Sequence, residues 1–283
     1  MPAPTSCLPS SATSTSDTPL VLLRGLVRAQ FHWGDFPLCL QQTLPHHTLW
    51  QPELPGNGEL WQQTSPLSIP AMTDAIRRQL PEQRPLHIIA ISMGAMIASD
   101  WAKRYPHEVS ELHLINTSFA NLALPWQRMQ PRALLKLLQA ALHWRPSRAR
   151  LEAAIWQQTV NEIDVSKKDR ADCLADWTVF AHQHPLSIRN ALRQLWAASR
   201  FRGPLGAPCA RTALYASQGD RLVNWRCSQR IAQQWHCPLH LHPSAGHDLP
   251  LQDPNWLLHQ LQQQRASWHS ETNAADKSVA EGR

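Results

Sequence analysis

The chain has 283 residues, a formal net charge of +6 and 43% hydrophobic residues. This length and composition fit one domain with an insertion and a sizeable core, and no stretch reaches the roughly 18 consecutive apolar residues of a membrane-spanning helix. The positive charge is spread along the sequence, which excludes a concentrated nucleic-acid footprint. We interpret the basic positions as solvated helix faces, with weak attraction to an anionic substrate or carrier as the alternative.

Both ends of the chain are polar and poor in branched apolar residues. Residues 1–17 lack the basic start and apolar core of a secretory signal, which favours a cytoplasmic protein. Residues 1–17 and 266–283 are predicted to be disordered tails, because they cannot bury enough surface to offset their ordering entropy. The six cysteines show no paired short spacings and predict reduced thiols.

Six apolar runs bounded by turn residues predict β-strands along a domain that spans residues 18–265. Because the runs are nearly continuously apolar, they predict an α/β fold with a mostly parallel central sheet covered by helices on both faces. The predicted strands are 19–25, 47–56, 85–92, 111–119, 211–220 and 238–247.

Between the fourth and fifth predicted strands, residues 122–200 show helical periodicity within a stretch that lacks glycine from Gly94 to Gly203. We expect this segment to form a helical lid insert. Its tryptophans are predicted either to line a cavity beneath the lid or to pack the insert onto the core. They are Trp126, Trp144, Trp156, Trp177 and Trp196.

The third predicted strand stops at Ser92, and a helix begins at once. A serine on so sharp a turn has a strained backbone, and the residues two positions before and after it must be small, as Ala90 and Gly94 are. The segment Ala90-Ile91-Ser92-Met93-Gly94 resembles the nucleophile elbow of the α/β-hydrolase superfamily, whose usual pattern is Gly-x-Ser-x-Gly. Alanine replaces the first glycine here.

Two further residues stand at the C-terminal ends of predicted strands, in the order that this superfamily uses, which is nucleophile, acid and histidine. Asp220 ends the fifth predicted strand, and His247 ends the sixth. The resemblance implies that Ser92 is the nucleophile, His247 its base and Asp220 the acid that orients the histidine. Taken singly, Asp220 fits a turn aspartate and His247 a loop histidine. Asp248 and Asp253 are interpreted as loop or cap residues.

The resemblance also implies an oxyanion hole made by the backbone N–H groups of Leu26 and Met93. In the superfamily the first strand commonly ends in His-Gly before the contributing residue, whereas this chain has Arg24-Gly25-Leu26. Because the donor is a main-chain amide, the arginine leaves it in place. The hydrogen bonds that support this loop must therefore differ from the usual ones.

Metal and cofactor sites are not predicted. His240 and His242 share one face of a strand, but no third ligand precedes His247. The glycines form neither a phosphate loop nor a dinucleotide fingerprint. A small-molecule ester or acyl compound is the expected partner.

The resemblance covers residues 18–262 and is greatest to small proteobacterial carboxylesterases, the type that includes the pimeloyl carrier-protein methyl esterases. It implies a serine hydrolase that cleaves a carboxylic ester or thioester through an acyl-enzyme. A carbon–carbon bond hydrolase or acyltransferase with the same three residues, and a non-catalytic binding scaffold, stay open as alternatives. The oligomeric state is also open.

Overall fold

The central sheet has six parallel strands in the order β2-β1-β3-β4-β5-β6. The computed structural model describes residues 18–80, 85–142, 148–161 and 167–281. All six predicted strands are present, although β2 is much shorter than the predicted run. The strands are β1 Leu20–Leu23, β2 Leu49–Trp50, β3 Leu86–Ile91, β4 Val109–Ile115, β5 Arg211–Ser217 and β6 Leu239–His242.

The order of the strands places a topological switch point between β1 and β3. From β1 the chain crosses to β2 at one edge, and it then returns to β3 on the opposite side of β1. In sheets of this kind a crevice opens at the carboxyl ends of the two strands where the order reverses. Gly25 and Leu26 follow β1 there, and Ser92 follows β3.

Helices cover both faces of the sheet, as the continuously apolar strands predict. Val21 and Leu23 pack with α2, α3 and α9, and the alternate residues Leu20 and Leu22 pack with α1 and α11. The helices are α1 Phe36–Thr43, α2 Ile69–Arg77, α3 Met93–Arg104, α4 Pro125–Arg128, α5 Pro131–Leu142, α6 Arg148–Thr159, α7 Lys167–Gln183, α8 Ile188–Arg200, α9 Arg226–Trp235, α10 Leu249–Gln252 and α11 Pro254–Glu281.

Helices α4 to α8 occupy the segment for which the sequence predicts a helical insert. Its tryptophans separate into two groups. Trp156 and Trp177 are buried against each other, with ring centroids 5.5 Å apart, which matches the packing alternative. Trp126 and Trp196 are exposed, and Trp144 lies outside the described residues.

The C-terminal segment differs from the expected disordered tail, because α11 continues as far as Glu281. Trp268 is buried in the same cluster as Leu257 and Leu261. These residues recur at helical spacing, so a single large aromatic side chain extends the apolar face of α11. The average composition of the tail conceals this spacing. The predicted N-terminal tail lies outside the described residues.

The five cysteines among the described residues carry free thiols, and Cys7 lies outside them. Burial raises the pKa of Cys227 to about 11 and that of Cys237 to about 12, so neither thiol is a ready nucleophile. In the described parts of the chain, no helix is long and apolar enough to cross a membrane.

Candidate active site

Ser92 occupies a tight turn between β3 and α3, with φ 57° and ψ −118°. A positive φ is strained for a serine and persists only where the surroundings hold it. The Ser92 amide donates to the Ile115 carbonyl at 2.9 Å, and the Thr117 hydroxyl donates to the Ser92 carbonyl at 2.9 Å. The end of β4 therefore supports the backbone of the predicted nucleophile on both sides.

Close contacts with neighbouring atoms require small residues around this turn. A β-carbon on Gly94 would lie 2.4 Å from the Leu23 carbonyl oxygen, and one on Gly25 would lie 3.0 Å from Ser92 Cβ. The distance at Gly94 leaves no room for a side chain without movement of the backbone, whereas the distance at Gly25 is a tight contact that a small shift of Ser92 would relieve. Ala90, the alanine of the elbow, is fully buried in β3.

His247 and Asp220 form a buried pair. His247 Nδ1 lies 2.7 Å from Asp220 Oδ2. The other carboxylate oxygen of Asp220 accepts hydrogen bonds from the amides of Leu222 at 2.8 Å and Val223 at 2.9 Å. Asp220 therefore organises its own turn and contacts the histidine at the same time. A proton on Nδ1 leaves Nε2 of His247 as the acceptor.

Ser92 and His247 line one cavity of about 360 Å³. In the described part of the chain no hydrogen bond joins the Ser92 hydroxyl to His247, a bond that in hydrolases often tightens only in the substrate complex. Leu26 lines the cavity as well, in the turn after β1. Met93 is the first residue of α3, where an N–H group has no partner within the helix.

The loop after β1 has an unusual conformation next to Leu26. Val27 has φ 55°, which is rare for a β-branched residue, and its amide donates to Gln194 Oε1 at 2.9 Å. Gln194 lies on α8 and is fully buried, and it also donates to Asn57 at 2.7 Å. The insert thus holds the loop that carries one of the two predicted oxyanion donors.

Arg24, which replaces the usual histidine, forms a bidentate ion pair with Asp248. The two N–O distances are 3.0 and 2.7 Å, and both side chains are buried. Asp248 precedes α10, but its side chain makes no capping hydrogen bond there. Asp248 is therefore a loop residue, as expected, but its side chain pairs with Arg24 and does not cap α10. Asp253 does cap, since it accepts from the Trp256 amide at 2.9 Å near the start of α11.

Asn116 is a supporting residue that the sequence analysis missed. Its amide donates to the carbonyl of His247 at 2.8 Å, and its side-chain oxygen accepts from the Ser217 amide at 2.8 Å. It is buried, with φ 45°. Asn116 therefore connects the ends of β4 and β5 to the loop that carries His247. The predicted strand 111–119 concealed this position, because β4 ends at Ile115 and Asn116 is the first residue after it.

The cavity wall is mainly aliphatic and comes largely from the insert, and polar residues line it from both the insert and the sheet side. Arg28 and Glu152 form a buried ion pair at 2.7 Å. Burial, followed by the charge of Arg28, holds the pKa of His32 well below its usual range, so this histidine is neutral. The aliphatic wall includes Leu134, Leu138, Leu151, Ile155, Leu192 and Leu195.

His240 and His242 both face α11, as their alternation along β6 predicts. His240 contacts Gln260 and Gln264, each at 2.9 Å, and His242 lies 3.1 Å from Asp253. Among the residues that the structure describes, no group of three or more His, Cys, Asp and Glu side chains is arranged to hold a metal ion.

The sequence matches the family model for the alpha/beta hydrolase fold over residues 18–254. This chain therefore belongs to that family. Membership of the family supports a hydrolase activity. Over 113 residues it is 34% identical to the pimeloyl-[acyl-carrier protein] methyl ester esterase of Aromatoleum aromaticum. That match covers 38% of this chain and 42% of the relative, which is less than half of either protein.

Solved structures show the same fold at low sequence identity. A putative lipase from Acinetobacter baumannii has a TM-score of 0.67 and 20% identity, with 92% of this chain and 86% of that chain covered. A thermophilic esterase from Thermogutta terrifontis has a TM-score of 0.64 and 17% identity, with coverages of 88% and 90%. At these identities the likeness concerns the fold alone.

Proposed function

We propose that this chain is a serine hydrolase that cleaves a carboxylic ester or thioester through an acyl-enzyme. The observation that carries the proposal is the 2.7 Å contact between His247 Nδ1 and Asp220, beside a cavity that His247 shares with Ser92. A serine hydroxyl becomes a good nucleophile when an oriented imidazole accepts its proton. The order of the three residues along the chain matches the family.

In the proposed reaction, Ser92 Oγ attacks the carbonyl carbon while its proton moves to His247 Nε2. The amides of Leu26 and Met93 stabilise the oxyanion, and the positive end of the α3 dipole adds to that field. His247 then protonates the leaving alcohol or thiol, which departs and leaves the acyl group on Ser92. A water molecule, deprotonated by His247, then attacks the acyl carbon, the bond to Ser92 Oγ breaks to release the acid, and His247 returns the proton to Ser92.

The substrate class follows from the wall of the cavity. Its insert side consists largely of leucine and isoleucine side chains, which favour an apolar acyl chain. The name of the 34% identical relative specifies a methyl ester as its substrate, which supports an ester here. A cytoplasmic location and a small-molecule ester partner stay predictions.

The test is the hydrolysis of p-nitrophenyl esters from acetate to dodecanoate by the parent protein and by Ser92→Ala. We expect Ser92→Ala to lower kcat/KM by about 10⁴-fold or more. Ser110→Ala, whose serine lies at the opposite end of β4, is the control and should retain activity. Turnover that Ser92→Ala leaves unchanged would overturn the proposal, and inactivity of both proteins would favour the binding scaffold.

A further inference from the structure

Large apolar side chains are exposed on three helices of the insert, α4, α5 and α8. We call this set the rim surface. Leu138, Ile188 and Leu192 also line the cavity, so the rim surface and the cavity wall are continuous. The rim surface consists of Trp126 on α4, Leu135 and Leu138 on α5, and Ile188, Leu192 and Trp196 on α8, which are 48% to 60% exposed.

Helix α4 adjoins both α5 and α8, the other two helices that carry the rim surface. Arg128, the last residue of α4, donates to the carbonyls of Ala198 and Ser199 near the end of α8, each at 2.6 Å. Only Met129 and Gln130 separate α4 from α5. Exposed apolar areas of this kind usually mark an interaction site, since isolated proteins rarely leave them uncovered.

The charged residues among these helices are all basic. Arg132 and Lys136 on α5 and Arg189 and Arg200 on α8 are exposed, and the Arg200 guanidinium lies 4.7 Å from the Trp196 ring centroid. The sequence contains no Asp or Glu between Glu111 and Glu152 or between Asp176 and Asp220. Helices α4, α5 and α8 together carry six basic and no acidic residues, so the insert has a local excess of positive charge beside the rim surface, although basic residues occur along the whole sequence.

An anionic partner fits this charge, and it is either a lipid bilayer or an acidic protein. The apolar residues of the rim surface distinguish between these two. Four of the six rim residues are leucine or isoleucine, and leucine is under-represented among the residues that dominate protein interfaces. Leucine and tryptophan next to lysine and arginine are characteristic of helices that lie in a lipid headgroup layer. The composition thus favours a bilayer over an acidic protein.

We propose that the rim surface docks this protein onto anionic lipid bilayers. In this arrangement α5 and α8 lie along the headgroup layer, with leucine and tryptophan side chains below it and the arginine and lysine groups at the phosphates. Leu138, Ile188 and Leu192, which also line the cavity, then contact the acyl chains. Delivery of a lipid ester to Ser92 by this route rests on the proposed function, whereas docking itself does not.

The test measures cosedimentation of Ser92→Ala protein with vesicles, so that binding is separate from hydrolysis. Vesicles of phosphatidylcholine alone are compared with vesicles of phosphatidylcholine and phosphatidylglycerol. We expect binding to the anionic vesicles that weakens with salt. Each basic side chain near an anionic surface contributes about fivefold in affinity, so Arg132→Glu/Lys136→Glu should lower binding by tenfold or more.

Two further variants separate charge from apolar contact. Leu135→Ser/Trp196→Ala should also lower vesicle binding, because both side chains are expected to enter the headgroup layer. The matched control Arg78→Glu/Lys103→Glu makes the same change of net charge at the far ends of α2 and α3 and should bind as the parent does. With Ser92 present, all three variants should hydrolyse p-nitrophenyl acetate at the parental rate.

Several outcomes would overturn the docking proposal. They are equal sedimentation with both kinds of vesicle, loss of binding in the control to the same extent, or binding of an acidic protein in the absence of any vesicle binding. Failure of the proposed function is a distinct result. A parent protein that binds anionic vesicles but hydrolyses no ester would support the docking proposal and contradict the assignment of Ser92 as a nucleophile.

Discussion

The ion pair between Arg24 and Asp248 joins the loop after β1 to the residue after His247. It therefore supports Leu26 and His247 together, and it replaces the hydrogen bonds that the usual histidine would make. Because both groups are buried, removal of one leaves the other as an uncompensated charge. Arg24 is in this sense a positioning residue.

We expect Asp248→Asn to lower the free energy of unfolding by about 3 kcal/mol and kcat/KM by about tenfold or more. The double variant Arg24→Met/Asp248→Leu should be less destabilised than either single variant, since it leaves no buried charge. Urea denaturation and ester hydrolysis check both statements. A single variant as stable as the parent would contradict the role of the pair.

Asn116 offers a second prediction for a single residue. Asn116→Asp keeps the acceptor for the Ser217 amide but turns a carboxylate oxygen towards the His247 carbonyl. We expect kcat to fall by about 10²-fold with little change in KM, because His247 shifts relative to the ester.

The matched control for this prediction is Asn121→Asp. Asn121 makes a similar pair of hydrogen bonds, to the amide and the carbonyl of Gly203, away from the cavity. It should lose about 1 to 3 kcal/mol of stability while kcat stays near the parental value. Equal loss of kcat in both variants would show that Asn116 acts only on general stability.

Among the elements, helix α11 shows how one side chain can decide whether a segment folds. Trp268 is 7% exposed and packs 5.3 Å from the His113 ring, beyond the predicted end of the domain. Trp268→Ala should lower the free energy of unfolding by about 3 kcal/mol. Trp126→Ala, at an exposed tryptophan, should change it by less than about 0.5 kcal/mol. Equal effects would contradict the docking of this part of α11.

A buried polar cluster connects α11 to the strands. Glu111 lies 2.8 Å from Arg265, and Arg265 in turn donates to His87 Nδ1 at 3.2 Å. Burial alone would raise the pKa of Glu111, but its interactions with His113, whose Nε2 lies 3.8 Å away, and with His87 and Arg265 outweigh burial and lower the pKa to about 2. Burial lowers the pKa of His87 to about 3.

The cluster predicts how stability depends on pH. The lowered pKa of His87 contributes stability above pH 6.5, and this stability is lost as the pH falls towards 3. The lowered pKa of Glu111 contributes stability above pH 4.5, and this stability is lost as the pH falls towards 2. The free energy of unfolding should therefore fall below about pH 6.5. His87→Gln should flatten this fall, whereas His107→Gln, at an exposed position, should not. Equal slopes in urea denaturation at several pH values would contradict the prediction.

At the scale of the whole molecule, the features that could be predicted from the sequence are those that depend on a short local pattern of residues. The strands were recognisable because each is a short apolar run, and Ser92, Asp220 and His247 stood out because each is the last residue of such a run. The ion pair of Arg24 with Asp248 joins residues 224 positions apart, and no local pattern indicates it. The end of α11 was missed because mean composition conceals a single tryptophan at helical spacing.

The central claim is that Ser92 is a nucleophile activated by His247. Its most direct test is the rate at which a fluorophosphonate labels the protein, with the modified residue located by mass spectrometry. We predict a label on Ser92, and a labelling rate that His247→Ala lowers by about 10³-fold or more. A label on another residue, or on Ser92 at the same rate in both proteins, would contradict it.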